Sequence, residues 1–271
     1  MRPLLFALLA CSAVAAADPP KADDKKAAML AEVEKAVAAL ADSKADAKEK
    51  AGQYAKLGEL LLKLREPAKA AEAFTRSIAA NPDDPKVNDR RGDAHLWAGR
   101  FADAVADYDL FLKANPKFGP EHWRRGIALY YAGKHEAGVK QFDTHKTVNP
   151  QDVENAAWHY LCNVKVVGKE KAQAALIDVT RDPRIPMAEI QKLFAGKLKP
   201  EDVLAAADKA KGAERTSALF YANLYVGLWY EAEGDAKKAK EHLSVAVEKH
   251  EVPDYMWDVG NAHLQVLKAK K

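Results

Sequence analysis

The chain has 271 residues, 48% hydrophobic and 30% charged, and its 42 Lys and Arg residues nearly balance 39 Asp and Glu residues. A formal net charge of +3 over this length argues against a nucleic-acid-binding protein that relies on phosphate neutralisation. Two cysteines exclude a disulfide-stabilised scaffold and any zinc site built on four cysteines. The length is typical of a globular protein with one or two domains.

The N-terminus has the pattern of a secretory signal peptide. A single positive charge at Arg2 is followed by an apolar run over 4–14 and by small residues that end before Asp18. We therefore expect residues 1–17 to be removed and the chain to be exported to the periplasm or the cell envelope.

The alternative for this segment is a lipid anchor. The stretch Leu8-Leu9-Ala10-Cys11 resembles a lipidation motif, in which Cys11 would become the lipidated N-terminus. No other apolar run approaches the ~20 residues that a bilayer span needs, so we expect no membrane span in the mature chain.

Residues 18–50 lead into the rest of the chain. The segment 18–26 is polar and contains two prolines, which predicts a linker. Over 27–41, apolar residues recur at helical spacing, which predicts an amphipathic N-terminal helix.

The middle of the chain repeats with a period of 34 residues. Three kinds of position keep this spacing: Asn81-Pro82, Asn115-Pro116 and Asn149-Pro150; Gly58, Gly92 and Gly126; Phe74, Tyr108 and Phe142. Each Asn-Pro pair is expected to close a helix, and each glycine to let two helices approach closely. The pattern predicts three units of two antiparallel helices, at 51–84, 85–118 and 119–152.

This pattern resembles the tetratricopeptide repeat. The resemblance implies an all-α helical solenoid with a concave groove, because one unit cannot bury its apolar face without its neighbours. We expect the aromatic residues Phe74, Tyr108 and Phe142 to fill the space between neighbouring units.

The C-terminal half departs from the regular pattern. We predict a degenerate repeat with helices over 156–167 and 169–179, and a proline-broken insert with short helices over 187–195 and 201–210. A further repeat at 220–253 and a terminal capping helix over 254–268 follow. The predicted organisation is thus 51–152 for the regular repeats, 153–212 for the degenerate part and 213–271 for the last repeat and the cap.

The layout also resembles the new lipoprotein I family of exported bacterial repeat proteins, over about residues 51–265. The matching stretches are 124–133, Trp158 with Tyr160 and Leu161, 194–196, and 220–234. The resemblance implies a lipid-anchored envelope adaptor that docks a processing protease or cell-wall hydrolases, and it does not imply an enzyme.

The sequence contains no recognisable catalytic, metal or cofactor motif. No two of its eight histidines are three or four residues apart, and HExxH, GxSxG, the phosphate-binding loop and GxGxxG are all missing. We therefore expect no catalytic residue, no metal and no cofactor. Cys162 lies in an apolar stretch typical of a buried, inert thiol. The alternative is an envelope hydrolase. Its catalytic groups would be a Cys162–His159 pair, three residues apart on a helix, or an acidic pair in 153–212.

Candidate binding residues come from the first helix of each unit, whose positions 2, 5, 9, 12 and 13 face the groove in the repeat that this chain resembles. Aromatic residues at several of these positions favour anchoring of a peptide segment. The candidate groove residues are Asp89, Asp93, Trp97, Trp123, Arg124, Ile127, Tyr130 and Tyr131. The alternative for Trp97 and Tyr131 is packing against neighbouring helices.

The sequence thus predicts a non-catalytic scaffold with a protein or peptide partner and without nucleic acid. A second hypothesis is a pilotin-like assembly factor for an outer-membrane complex, which requires a lipid on Cys11. Ala55 and Glu59 replace the Lys and Asn of carboxylate-clamp repeats, so a chaperone C-terminal tail is not the expected partner. Self-association through an exposed end of the solenoid stays open.

Overall fold

The computed structural model describes residues 22–269, and this part of the chain contains helices and no strand. The predicted signal peptide at 1–17, with Cys11, lies outside the described residues. The α-helices, numbered α1 to α14, are Ala22–Asp42, Ala47–Lys63, Pro67–Ala80, Pro85–Trp97, Phe101–Ala114, Trp123–Tyr131, His135–His145, Val153–Val167, Lys169–Ala174, Met187–Phe194, Pro200–Asp208, Gly212–Ala232, Ala236–Lys249 and Tyr255–Ala269. None of these helices is long and apolar enough to cross a bilayer.

Helices α2 to α7 form three hairpins, and in each of them an aromatic ring lies on a glycine sixteen residues earlier. A Cβ atom added to the glycine would lie 2.7 Å from the ring for Gly58 and Phe74, and 2.5 Å for Gly92 and Tyr108 and for Gly126 and Phe142. The missing side chain therefore makes room for the ring within its own unit. The prediction placed these rings between neighbouring units, and the structure places each of them inside its own unit. The Tyr108 ring also lies 4.7 Å from that of His122 in the next unit.

The degenerate repeat is shorter than predicted. Helix α9 ends at Ala174, whereas the sequence predicted a helix to 179. After this helix, buried and exposed residues alternate, as in an extended segment: Ile177 and Val179 are buried, and Asp178 and Thr180 are exposed. β-Branched residues favour extended backbone, and we attribute the early end of the helix to them.

Two helices begin earlier than the sequence indicates. Helix α1 begins at Ala22 rather than at 27, and α12 begins at Gly212 rather than at 220. Every residue from Phe220 to Leu228 is buried, so this part of α12 is enclosed on all sides and lies at the centre of the C-terminal half. It contacts α8, α10, α11 and α13.

The last helix, α14, does more than cap the end of the solenoid. It packs on α13 and also reaches back to α4 in the second repeat. At its start, the ring of Tyr255 lies 5.0 Å from those of Trp97 and Trp123. The guanidinium of Arg65, in the loop after α2, lies 3.5 Å above the Trp257 ring. The first repeat thus contacts the last helix, and the concave face between them is largely covered.

Candidate protein-binding site

Three of the predicted groove residues form a buried ion-pair network between α4 and α6. Asp93 is 0% exposed and accepts hydrogen bonds from Arg124 at 2.6 Å, Tyr108 at 2.8 Å and Tyr255 at 3.0 Å. Arg124 also binds Asp89 at 2.8 Å. A buried carboxylate is tolerated only when it is paired and hydrogen-bonded. These side chains therefore hold the repeats together and are largely unavailable to a partner.

The electrostatics of this network follow from its burial. Desolvation raises the pKa of Asp89, but the hydrogen bond from His122 and the charge of Arg124 outweigh it and lower that pKa below its usual value. Desolvation likewise lowers the pKa of Arg124, and the charge of Asp93 outweighs it, so that the pKa is raised. Both groups are charged at neutral pH.

The other predicted groove residues divide between the core and an opening. Tyr130 and Tyr131 pack against Trp158, with ring centroids 5.5 and 5.8 Å apart, and the Tyr131 hydroxyl lies 2.7 Å from Nδ1 of His263 on α14. Trp97 packs edge-on against Tyr255. Trp97 and Tyr131 therefore pack against neighbouring helices, as the alternative interpretation of the sequence expected.

The expectation of an open groove is wrong at three of the eight positions. Asp93, Ile127 and Tyr130 are buried, with exposed fractions of 0%, 1% and 7%. Tyr255 at the start of α14 covers Asp93, and Trp158 of α8 covers Tyr130. Ile127 borders the cleft described below but exposes almost none of its own surface. The sequence signal was weak, because Tyr255 and His263 gave α14 an amphipathic face without indicating which surface it would cover.

One part of the concave face stays open, as a cleft of about 400 Å³ between α6, α8 and the start of α14. We call it the aromatic cleft. Its aromatic lining is Trp123, Phe142, Trp158, Tyr221 and Tyr255, and its charged lining is Asp152, Glu154, Arg184 and Asp254. Of the predicted groove residues, only Trp123 and Ile127 contribute to it. Sequence reasoning missed Arg184 and Asp254, which reach the cleft from the insert and from the loop before α14.

The charged wall of the aromatic cleft is centred on Arg184. Its guanidinium binds Asp182 at 2.7 Å, Asp152 at 3.0 Å and Glu154 at 2.5 Å. Glu154 also accepts a hydrogen bond from the Tyr225 hydroxyl at 2.7 Å. Burial raises the pKa of Glu154 to about 7; the charge of Arg184 opposes this and that of Asp152 adds to it.

A second groove, of about 590 Å³, lies beside α3, α4 and α5. Two of its three arginines are already paired within the chain: Arg91 binds Asp107 at 2.7 Å and Arg100 binds Asp103 at 2.8 Å. It has no aromatic side chain other than His95, and Nδ1 of this buried histidine lies 3.1 Å from Asp107. The aromatic cleft is therefore the better candidate site.

Comparison with known proteins identifies the fold. No protein-family model and no curated protein matches the sequence. Among solved structures, a tetratricopeptide repeat protein from Parabacteroides merdae superposes with a TM-score of 0.53 at 14% identity, over 90% of this chain and 96% of that one. The fold is that of a tetratricopeptide repeat protein. A thermophilic protein of the same class from Thermus thermophilus gives a TM-score of 0.42 at 17% identity, over 80% of this chain and 99% of that one.

Within this tetratricopeptide repeat fold, Cys162 does not have the environment of a nucleophile. It is completely buried, and burial raises the pKa of its thiol to about 12, so it stays protonated at neutral pH. The Nε2 atom of His159 lies 3.1 Å from Asp143 instead. No cluster of three or more His, Cys, Asp or Glu side chains suited to a metal ion occurs between residues 22 and 269.

Proposed function

We propose that this chain is a non-catalytic protein-interaction scaffold that holds a segment of its partner in the aromatic cleft. The observation that carries the proposal is the cleft itself, because α14 covers the rest of the concave face between α4 and α6. Its volume of about 400 Å³ lies in the range of ligand-binding pockets. Stacked helical repeats commonly bind partners on their concave side.

The cleft has the composition of a binding hot spot. Trp123 and Tyr255 are partly exposed at its rim, and their rings meet edge to face with centroids 5.0 Å apart. Tryptophan and tyrosine carry a large share of the binding free energy in protein interfaces, because they bury much apolar area and keep a polar tip. A partner segment inserted here would cover both rings.

The cellular role that we propose is that of an exported adaptor in the bacterial envelope, linking a processing protease or cell-wall hydrolases to other proteins. The signal-peptide pattern at 1–17 supports export, and the resemblance to the new lipoprotein I family supports the adaptor role. The alternative is a pilotin-like, lipid-anchored assembly factor. The mass of the mature N-terminus tests this alternative, since cleavage before Asp18 leaves no Cys11 to carry a lipid and would exclude the pilotin-like role.

Site-specific photocrosslinking in the producing cell tests the scaffold. A photoreactive benzoylphenylalanine replaces Trp123 in the cleft, or Leu110, which is half exposed on α5 and does not line the cleft. We expect a defined protein to be crosslinked from position 123 and not from position 110. The same products from both positions, or none from either, would overturn the cleft as the docking site.

A further inference from the structure

The charges around the aromatic cleft do not balance. Arg184 is the only cation among its lining residues, against the carboxylates of Asp152, Glu154 and Asp254. Asp182, just outside the lining, supplies a further carboxylate to Arg184 at 2.7 Å. Even with Glu154 protonated, three carboxylates face one guanidinium, so the cleft carries an excess of negative charge.

Arg184 is fully engaged by these acids. Its guanidinium nitrogens donate to Asp152 just before α8, to Glu154 in the first turn of α8 and to Asp182 in the insert. An anionic ligand would have to displace them to reach the guanidinium. The net negative charge of the cleft therefore favours a cationic ligand over an anionic one.

Two polar atoms of the cleft lining have no hydrogen-bond partner among residues 22–269. Asn155 is 3% exposed, and its Nδ2 donates to the carbonyl of Phe142 at 3.3 Å, which leaves Oδ1 without a donor. Trp158 is 1% exposed, and its Nε1 has no acceptor. Buried polar groups are normally satisfied, and an exception calls for an explanation such as a bound water or ion. Oδ1 of Asn155 adds a further acceptor to the carboxylates.

We propose that the aromatic cleft recognises a basic side chain, of the arginine or lysine type, on the partner segment. This inference rests on the proposed scaffold function and names the chemistry of its partner. The apolar stem of such a side chain packs on Trp123 and Tyr255, whose ring faces also attract the cation. Its nitrogens donate to Asp254 and to the acids around Arg184. An arginine has the further advantage of a planar guanidinium with five donors.

A pair of isosteric peptides tests the charge preference directly. The probes are acetyl-Gly-Arg-Gly-amide and the same peptide with citrulline, which keeps the shape and removes the charge. Nitrogen-15 spectra of the protein follow the indole signals of its five tryptophans. We expect the arginine peptide to shift the signals of Trp123 and Trp158 saturably and to bind at least about tenfold more tightly than the citrulline peptide. Trp257, whose Nε1 donates to Val247 at 3.2 Å, serves as the unaffected reference.

Asp254→Asn is the matching variant. Asp254 Oδ1 accepts from the backbone N–H of Met256 at 2.8 Å, and asparagine can keep this interaction at the start of α14. The variant should lose the preference for arginine over citrulline while its thermal unfolding is unchanged. Asp103→Asn, on the other groove, is the control that should keep the preference.

Some outcomes reject the basic-side-chain inference, and others reject the proposed scaffold function. Equal binding of the two peptides, no binding of either at 10 mM, or an unchanged preference in Asp254→Asn each rejects recognition of a basic side chain. If a partner is still crosslinked from position 123 and the arginine peptide does not compete with it, only the basic-side-chain inference falls. If the arginine peptide binds selectively but no protein is crosslinked, the cation preference stands and the proposed function falls.

Discussion

The hydroxyl of Tyr255 donates a hydrogen bond to Oδ1 of Asp93 at 3.0 Å, and so connects the first turn of α14 with the middle of α4. Asp93 is completely buried and also binds Arg124 and Tyr108. The C-terminal helix thus completes the hydrogen bonding of an acid in the second repeat. The solenoid is closed on itself at this point, and α14 is part of the core rather than a removable lid.

We expect Tyr255→Phe to lower the free energy of unfolding by about 1 to 2 kcal/mol. The change removes one hydrogen bond to a buried carboxylate, while Arg124 and Tyr108 keep Asp93 partly satisfied. Urea denaturation followed by circular dichroism measures the effect. Tyr54→Phe is the matched control, because Tyr54 is buried in α2 and its hydroxyl has no protein partner among the described residues. Equal losses in the two variants would contradict the role given to Tyr255.

Two glycine-to-alanine substitutions should change stability in opposite directions. At Gly126 the new methyl group would lie 2.5 Å from the Phe142 ring, and overpacking of this kind typically costs about 1 to 3 kcal/mol. At Gly52 the added Cβ would have no atom of residues 22–269 within 4 Å beyond its own helix turn, and alanine in an exposed helix interior should stabilise by about 0.5 to 1 kcal/mol. Thermal denaturation compares the two, and Phe142→Leu should recover part of the loss in Gly126→Ala. Destabilisation at Gly52 as large as at Gly126 would refute the packing argument.

The regular repeats could be predicted because their determinants are local and periodic. The glycine at one position and the ring sixteen residues later lie on the two helices of one hairpin, so a single sequence shows both. The same spacing places Gly227 against Leu243 in α12 and α13, where a Cβ would lie 2.9 Å away. Both residues lie in the further repeat that the sequence predicts over 220–253.

The site could not be predicted in the same way, because it depends on contacts distant in the sequence. Trp123 and Ile127 were identified from their helix positions, but the cleft also needs Arg184 from the insert and Asp254 from the loop before α14. Asp93 was expected to face a groove, since nothing in the local pattern shows that Tyr255 would bind it from 162 residues away. Periodicity indicates which face of a helix is apolar, but it does not indicate which other element packs on that face.

Arg65 connects the first repeat with the C-terminal helix, and its replacement should weaken the contact between the two. Its guanidinium stacks on Trp257 at 3.5 Å and donates to the carbonyl of Val252 at 3.0 Å. Arg65 has a positive φ of 57°, so Arg65→Asn is the suitable variant, because asparagine tolerates this backbone conformation. We expect a loss of about 1 to 2 kcal/mol and faster amide exchange over 252–257.

The control for this variant is Arg100→Gln. Among residues 22–269 the largely exposed Arg100 pairs only with Asp103, so its replacement should leave both stability and exchange near the wild-type values. Unchanged exchange over 252–257 in Arg65→Asn would mean that Arg65 does not hold the two ends together.

Cys162 should be chemically silent in the folded protein. Its thiol is buried against Gly138, whose Cβ would lie only 2.7 Å from the sulfur, and its pKa is raised to about 12 by burial. Iodoacetamide at pH 8 should leave the peptide containing Cys162 unmodified, and should label it fully after unfolding in guanidinium chloride. Rapid labelling of the native protein would reopen the thiol-hydrolase hypothesis.

Asp258 should make stability depend on pH in a direction opposite to that of an ordinary surface acid. Burial raises its pKa to about 6, the charge of Arg65 opposes this, and the charges of Asp254 and Glu251 add to it. Because the pKa is higher in the folded protein than in the unfolded chain, this group's stabilising contribution is full below about pH 4 and is lost as the pH rises through 6. Asp258→Asn cannot ionise, so the free energy of unfolding of the variant minus that of the wild type should increase by about 1 to 3 kcal/mol between pH 4.5 and pH 8. Chemical denaturation at both pH values measures this difference, with Glu32→Gln, an exposed acid on α1, as the control. A difference independent of pH would show that Asp258 titrates as it does in the unfolded chain.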